Sequence, residues 1–205
     1  MDKLTRLYRI IEIYERFRTK LESMGISPGP TEGDGFWTAT QWKHIIPFLE
    51  YAIGRGILKV EGPIADAGSG TGEPSAVFRA YGFTPVVNIE ISGRLVSAAN
   101  KAIDALVSDG VLGGGITTVE GDFTKDATYK AAGIPFKGIR YFYHGINPKP
   151  LRDLAQRIEE ESPQGTRLIV YGMFDDRFGP VVGGLTLEHK FRTPDLIADF
   201  YVFGK

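Results

Sequence analysis

The chain has 205 residues, of which 42% are hydrophobic and 24% charged, with a net charge of -1. This length and composition predict one globular domain with its own core. The near-zero net charge argues against bulk electrostatic binding to nucleic acid, although a local basic face would not show in this average. The sequence contains no cysteine, which excludes disulfides, thiolate metal sites and cysteine nucleophiles.

The three histidines, His44, His144 and His189, are far apart in sequence and lack the short spacing of metal ligands, so we predict no metal site. The N-terminus lacks the layout of a signal peptide, and no apolar run approaches the length of a membrane span. We therefore expect a cytoplasmic protein that does not contact membranes.

An amphipathic helix is predicted at the N-terminus. Apolar residues recur there at spacings of three and four, which is the helical period. They are Leu4, Leu7, Ile11, Tyr14 and Leu21. The helix should extend from Leu4 to Met24 and pack on its own domain or on a second subunit, so a homo-oligomer through this helix is one alternative. Glycines and prolines from Gly25 to Gly35 then predict a loop.

A second helix should follow the segment from Phe36 to Gln41. Its apolar set begins at Trp42, and the spacing of Thr38 and Gln41 fits a capping box. We divide the chain at this point into an extension, residues 1–35, and a domain, residues 36–205.

The stretch from Ile64 to Pro74 is predicted to bind a ligand. An apolar run ends at Asp66, alternate glycines follow at positions 68, 70 and 72, and a helix then starts at Pro74 and stops at Gly82. Glycines in such a strand-to-helix turn adopt positive φ and let a ligand touch the backbone, next to unpaired helix N–H groups. The spacing differs from the dinucleotide pattern G-x-G-x-x-G, which weakens a phosphate-binding interpretation.

This stretch resembles motif I of the class I S-adenosylmethionine-dependent methyltransferases. In that family the acidic residue and the glycines surround the methionine part of the cofactor. The resemblance implies S-adenosyl-L-methionine as the cofactor, with the binding residues Asp66, Gly68, Ser69, Gly70 and Gly72. It also implies a doubly wound, mostly parallel seven-stranded α/β sheet with an antiparallel C-terminal edge. A nicotinamide or flavin site and a purely structural glycine turn remain alternatives.

Two further acidic positions fit the same sheet. Glu90 ends the β-branched run from Pro85, where a carboxylate would face the crevice of a doubly wound sheet and accept both ribose hydroxyls; a solvated strand-end charge is the alternative. We also predict that Ile91, the next residue, contacts the cofactor. After the strand from Ile116 to Val119, the resemblance implies that Asp122 bonds the adenine amino group and that Phe123 packs on the ring.

The acceptor side is predicted at the end of a fourth strand, Ile139 to Tyr143. Methyltransferases of base amino groups carry Asn/Asp-Pro-Pro-aromatic here, whereas this chain has Asn147 followed by Pro-Lys-Pro. The candidates to orient or deprotonate an acceptor are Tyr143, His144 and Asn147. Asn147 is equally suited to cap the next helix, and His144 to lie in a loop with its hydrogen bonds satisfied.

A fifth strand, Arg167 to Tyr171, precedes a predicted hairpin of two strands, Leu185 to Phe191 and Leu196 to Phe203. Alternating strands and helices followed by strands alone predict a parallel sheet with an antiparallel edge.

We expect methyl transfer to a nucleophile, most simply an amino group. The segment from Phe36 to Thr40, the altered fourth motif and the lack of a separate recognition domain look most like seven-stranded protein-lysine methyltransferases. In those proteins an aromatic-then-threonine segment closes over the cofactor, which implies cofactor roles for Phe36, Thr38 and Thr40; the threonines could equally be caps. The alternatives are an acceptor in RNA, DNA or a small molecule, and a cofactor-binding subunit that has lost catalysis.

Overall fold

The computed structural model describes residues 1–23, 29–31, 35–37, 41–145, 148–173 and 181–205. The helices are α1 (Lys3–Ser23), α2 (Trp42–Gly54), α3 (Glu73–Tyr81), α4 (Gly93–Ser108), α5 (Asp126–Ala131) and α6 (Pro148–Glu161). The strands are β1 (Gly29–Thr31), β2 (Gly35–Trp37), β3 (Glu61–Ala67), β4 (Thr84–Glu90), β5 (Ile116–Glu120), β6 (Tyr141–Gly145), β7 (Arg167–Met173), β8 (Val181–Val182), β9 (Leu185–Arg192) and β10 (Ala198–Gly204).

Within these described residues the main sheet has eight strands in the order β5-β4-β3-β6-β7-β10-β9-β8. Strands β3 to β7 are parallel, and β8, β9 and β10 pair antiparallel at one edge. The predicted α/β fold with an antiparallel C-terminal edge is therefore confirmed. The predicted count of seven strands is wrong by one, because the two-residue strand β8 extends the edge.

Two local predictions also need correction. Part of the segment predicted as a loop forms a hairpin, in which β1 pairs with β2. Gln41 occupies the N-cap position of α2, so the capping box predicted at Thr38 is wrong. Three-residue strands are too short to show a sequence period, which explains why the hairpin was missed.

The order of the strands reverses between β3 and β6, since the chain runs outward from β3 to β5 and then returns to β6 on the other side. In open α/β sheets this reversal opens a crevice at the carboxyl ends of the strands, and ligands bind there. The glycine turn after β3 and the end of β6 therefore lie at the expected place for a site.

Helices cover both faces of the sheet. One face packs against α1 to α4 and the other against α5 and α6. Helix α1 contacts α3 and α4, and its apolar side is part of the core: Leu7, Ile10, Ile13 and Tyr14 are at most 5% exposed. In the part of the chain that the structure describes, no helix has both the length and the apolar character needed to cross a bilayer.

Candidate functional site

The glycine turn joins β3 to α3. Gly68, Gly70 and Gly72 have φ of 79°, 57° and 79°, all in the left-handed region. The backbone N–H groups of Gly68 and Ser69 both donate to the carbonyl of Ile89, at 2.9 Å, which fixes the turn to the neighbouring strand. The sequence prediction of a strand, a glycine turn and a helix beginning near Pro74 is confirmed.

Glu90 holds the middle of this turn. Its Oε2 accepts the backbone N–H of Gly70 at 2.8 Å, and its Oε1 accepts that of Ser92 at 3.0 Å. The side chain is only 6% exposed. Each carboxylate oxygen has two lone pairs, so Glu90 can keep these bonds and accept two hydroxyl groups as well.

Asp66 lies beneath the turn and is 1% exposed. The Ser75 hydroxyl is 2.9 Å from Asp66 Oδ2 and 3.0 Å from Asn88 Oδ1. Burial raises the pKa of Asp66 to about 7, against the lowering effect of the Ser75 hydrogen bond, and the charge of Glu90 raises it further. Because Ser75 has one proton for two oxygens, a protonated Asp66 completes the chain by donating to Ser75, which donates to Asn88.

The end of β5 brings Asp122 and Phe123 to the same crevice. The Gly121 N–H donates to the carbonyl of Glu90 at 2.9 Å, which sets the two strand ends side by side. Asp122 Oδ1 accepts the backbone N–H of Thr124 at 2.8 Å and its hydroxyl at 2.7 Å, so the carboxylate is oriented by its own turn. Phe123 is partly exposed, as a ring that packs on a ligand must be.

His144 lies in strand β6 rather than in a loop. Its Nδ1 donates to the carbonyl of Ala67 at 2.5 Å, since a carbonyl can only accept, and its ring is 5.1 Å from that of Phe123. Tyr143 faces the other side of the sheet, where it is 2% exposed and its ring lies 5.3 Å from Phe78. The structure thus brings His144 to the glycine turn and packs the ring of Tyr143 against α3.

The structure gives less information on the remaining predicted residues. Ile91 follows Glu90 and is 60% exposed. Phe36 lies in β2, where its backbone pairs with Pro30. Thr38, Thr40 and Asn147 lie outside the described residues.

Helix α1 reaches the glycine turn through contacts that the sequence did not indicate. The Tyr14 hydroxyl donates to the Gly72 carbonyl at 3.0 Å. Arg18 contacts both carboxylate oxygens of Glu73, at 3.1 and 3.3 Å. Glu73 is 3% exposed, and burial raises its pKa to about 7 although Arg18 opposes this. No short-range pattern could have found these pairs, because they join residues 55 and 58 positions apart.

No protein-family model matches this sequence, and no curated protein matches it either. Solved structures do match its fold, and several of them are named as methyltransferases. An RNA methyltransferase from Salinibacter ruber in complex with S-adenosyl-L-homocysteine aligns over 82% of this chain and 93% of its own, with a TM-score of 0.55 and 21% identity. Aeropyrum pernix fibrillarin with natively bound S-adenosyl-L-methionine aligns over 76% and 74%, with a TM-score of 0.54 and 13% identity.

A point mutant of MtNAS aligns with 80% of this chain, with a TM-score of 0.61 and 15% identity. The chain spans 61% of the length of MtNAS, which has also been crystallised with S-adenosylmethionine. At these identities the likeness concerns the fold. The neighbours' bound molecules are consistent with S-adenosyl-L-methionine as the predicted cofactor, whereas their varied acceptors leave the acceptor of this chain open.

Proposed function

We propose that this chain binds S-adenosyl-L-methionine and transfers its methyl group to a nucleophile, with an amino group as the favoured acceptor. The observation that carries the proposal is the pairing of Glu90 with the glycine turn: a carboxylate at the end of β4 is bonded to the Gly70 N–H at 2.8 Å. This bond places a hydroxyl-binding carboxylate beside a backbone turn that a ligand can approach closely, at the reversal of strand order.

The charges near the turn favour a cationic ligand over a dinucleotide. A pyrophosphate would bind at the N-terminus of α3, but the chain fills that position with its own buried carboxyl group, Glu73, which is paired with Arg18. The carboxylates of Glu90, Glu120 and Asp122 follow at the ends of β4 and β5, and none of these three forms an ion pair with a lysine or arginine among the described residues. A nicotinamide dinucleotide is therefore the weaker alternative.

The residues divide into three groups by the part of the cofactor that they would hold. Glu90 would accept the ribose hydroxyls, and Asp122, Phe123 and Ile91 would surround the adenine. The turn from Gly68 to Gly72 would contact the methionine part; here Ser69 Oγ is buried with no partner among the described residues, which suits a polar ligand atom. Phe36, Thr38 and Thr40 would close over it.

The sulfonium methyl that the cofactor supplies is already activated, so the protein's work is alignment and exclusion of water. An amine must attack as the neutral base and therefore needs to lose a proton. His144 and Asn147 are the residues at the end of β6 that we propose for orienting the acceptor, whereas the predicted role of Tyr143 is dropped because its ring packs against Phe78 on the other face of the sheet. The Nδ1 of His144 donates to the carbonyl of Ala67, which fixes the orientation of the ring at this end of β6.

Among acceptors we favour a protein lysine, on the resemblance of the segment from Phe36 to Thr40 and the single compact domain. RNA is the second candidate, since the Salinibacter ruber RNA methyltransferase shares the fold over most of both chains. Two further acceptors are DNA and a small molecule. The remaining alternative is that this chain is a subunit that binds the cofactor without catalysis.

The test is methyl transfer from tritium-labelled S-adenosylmethionine to three acceptor pools: lysine-containing peptides, RNA and small amines. Glu90→Gln serves as the control and should reduce labelling, because it weakens cofactor binding. Label on the peptides supports the lysine assignment, and label on RNA or small amines moves the acceptor there. Cofactor binding without transfer to any pool contradicts catalysis by this chain alone and supports the subunit alternative.

A further inference from the structure

Three polar side chains form a hydrogen-bonded series near the carboxyl ends of the strands, outside the residues discussed so far; two of them are buried, and the third, Asp195, has a side chain that is 27% exposed. Tyr171 lies near the carboxyl end of β7, His44 lies in the first turn of α2, and Asp195 lies in the turn between β9 and β10. The Tyr171 hydroxyl is 2.7 Å from His44 Nδ1, and His44 Nε2 is 2.8 Å from Asp195 Oδ2. His44 is 1% exposed and Tyr171 is 8% exposed.

The hydrogen bonds have one consistent direction. Lys43 contacts Asp195 at 2.6 Å, and its ammonium, together with His44, holds the pKa of Asp195 well below its usual range. Asp195 is thus a carboxylate that only accepts, so His44 carries its proton on Nε2. Nδ1 then presents a lone pair, and Tyr171 donates to it. The backbone N–H of Gln41 bonds to the same Tyr171 oxygen.

The position of Tyr171 places these three side chains near the proposed methyl-transfer site. Tyr171 pairs in register with Gly145, the residue after His144. Strands β3, β6 and β7 are adjacent, and neighbouring strands lie about 4.8 Å apart, so Tyr171 stands two strands or roughly 10 Å from the glycine turn. It is on the sheet face that carries Asp66, since both belong to alternating positions facing α1 to α4.

The turn that supplies Asp195 is held in a strained shape. Leu196 has φ of 62° although it has a side chain, and that side chain is 67% exposed. Such a conformation is unfavourable for a residue with a Cβ atom, and it persists where surrounding contacts determine the backbone. Here Thr193 Oγ1 and the Ile197 N–H both bind Asp195 Oδ1, at 2.8 and 3.3 Å, which fixes the carboxylate toward His44.

Resting on the proposed methyl transfer, we propose that Tyr171 is the group that takes the proton from the acceptor nucleophile, with His44 and Asp195 as a relay behind it. As the acceptor atom bonds to the methyl carbon, the carbon–sulfur bond breaks and its electron pair stays on sulfur. The acceptor's proton passes to Tyr171 Oη while the Tyr171 proton passes to His44 Nδ1. The positive charge lost at sulfur reappears on the imidazolium, next to the Asp195 carboxylate.

Histidine NMR tests this arrangement without knowledge of the acceptor. The chain has three histidines, so nitrogen-15 labelling gives three resolvable rings. We expect His44 to carry its proton on Nε2 at neutral pH; a neutral ring protonated on Nδ1 would overturn the relay. The next addition is the amine analogue of S-adenosylmethionine, in which C–NH3⁺ replaces S–CH3. The amine analogue should change the nitrogen-15 chemical shifts of the His44 ring more than S-adenosylhomocysteine does. The chemical shifts of His189, on β9, should stay unchanged.

The histidines also separate the two proposals. Chemical-shift changes at His144 alone would contradict the relay but remain consistent with the proposed cofactor site. No change at any histidine, together with no heat of binding, would contradict the proposed function itself.

Kinetics give the second readout. Tyr171→Phe removes one oxygen, and general-base catalysis is worth about a hundredfold or more, so transfer to the acceptor found with labelled cofactor should fall by that factor at an unchanged cofactor affinity. The matched control is Tyr8→Phe, at a side chain that is 66% exposed on α1. A purely structural tyrosine would lower the melting temperature and leave the transfer rate of the folded enzyme unchanged, and that result would overturn the proposal.

Discussion

The contact between Tyr14 and the glycine turn allows a quantitative prediction. The Tyr14 hydroxyl donates to the Gly72 carbonyl at 3.0 Å, and the side chain is 1% exposed. Tyr14→Phe keeps the ring, which lies 5.6 Å from that of Trp42, and removes only the oxygen. The substitution therefore tests the hydrogen bond that fastens α1 to the turn.

The expected loss follows from the partners of Gly72. Its carbonyl also accepts the Ala76 N–H at 3.1 Å, so the substitution leaves no unpaired acceptor in the core. The cost should then be that of a net hydrogen bond, about 0.5 to 1.5 kcal/mol, rather than the larger penalty for an orphaned group. For a chain of this size the melting temperature should fall by about 2 to 4 °C per kcal/mol.

Urea unfolding followed by circular dichroism measures this difference. Tyr8→Phe on the exposed side of α1 is the matched control and should stay within about 0.5 kcal/mol of the unmodified chain. Equal stability of the two variants would refute the claim that Tyr14 bonds to the turn. A loss above about 3 kcal/mol would refute the claim that Ala76 satisfies the Gly72 carbonyl.

Three other changes test the same region. Burial raises the pKa of Asp66 from 3.8 to about 7, so the folded chain holds this proton more tightly than the unfolded chain does. The free energy of unfolding should therefore fall as pH rises from about 4 to 7, by at most about 4 kcal/mol. Asp66→Asn should remove that part of the decline in urea titrations across this range; an unchanged pH dependence would contradict the raised pKa. Gly72→Ala forces a left-handed φ of 79° on alanine and sets Cβ 3.1 Å from Asn88 Nδ2, so calorimetry should show a loss of at least about 1 to 2 kcal/mol; full stability would contradict the turn geometry. Deleting residues 1–23 removes four buried apolar side chains, each of which contributes about 1.5 to 3 kcal/mol, so their sum is comparable with the total stability of a domain. The shortened chain should therefore show no cooperative unfolding, and a normal transition would mean that α1 is dispensable.

Sequence reasoning worked where function and fold depend on neighbouring residues. The glycine turn, the proline near the start of α3 and the acid that ends β4 are local patterns, and the structure has them where they were predicted. The antiparallel edge also followed from two alternating strands near the C-terminus, now β9 and β10. These features could be found because backbone conformation and strand period are properties of short segments.

The missed features depend on contacts across the fold. His44 meets Tyr171 and Asp195, which lie 127 and 151 positions away, and a lone histidine on an apolar helix gives no indication of such partners. Tyr14 was assigned correctly to an apolar helical face, but its hydroxyl contact with Gly72 follows only from how α1 packs on α3. Strand β8 was missed because two residues cannot display an alternating pattern.

The central claim, that the turn and Glu90 bind S-adenosylmethionine, is tested most directly by calorimetric titration with S-adenosylmethionine and S-adenosylhomocysteine. Glu90→Gln keeps the shape of the side chain and removes its charge, and hydrogen bonds to a charged group are worth about 1.5 to 3 kcal/mol, so affinity should fall at least about tenfold. Glu160→Gln, on the exposed side of α6, is the control and should bind normally. Micromolar binding that weakens only in Glu90→Gln is the predicted result; no heat with either ligand, or equal affinity in both variants, would contradict the account.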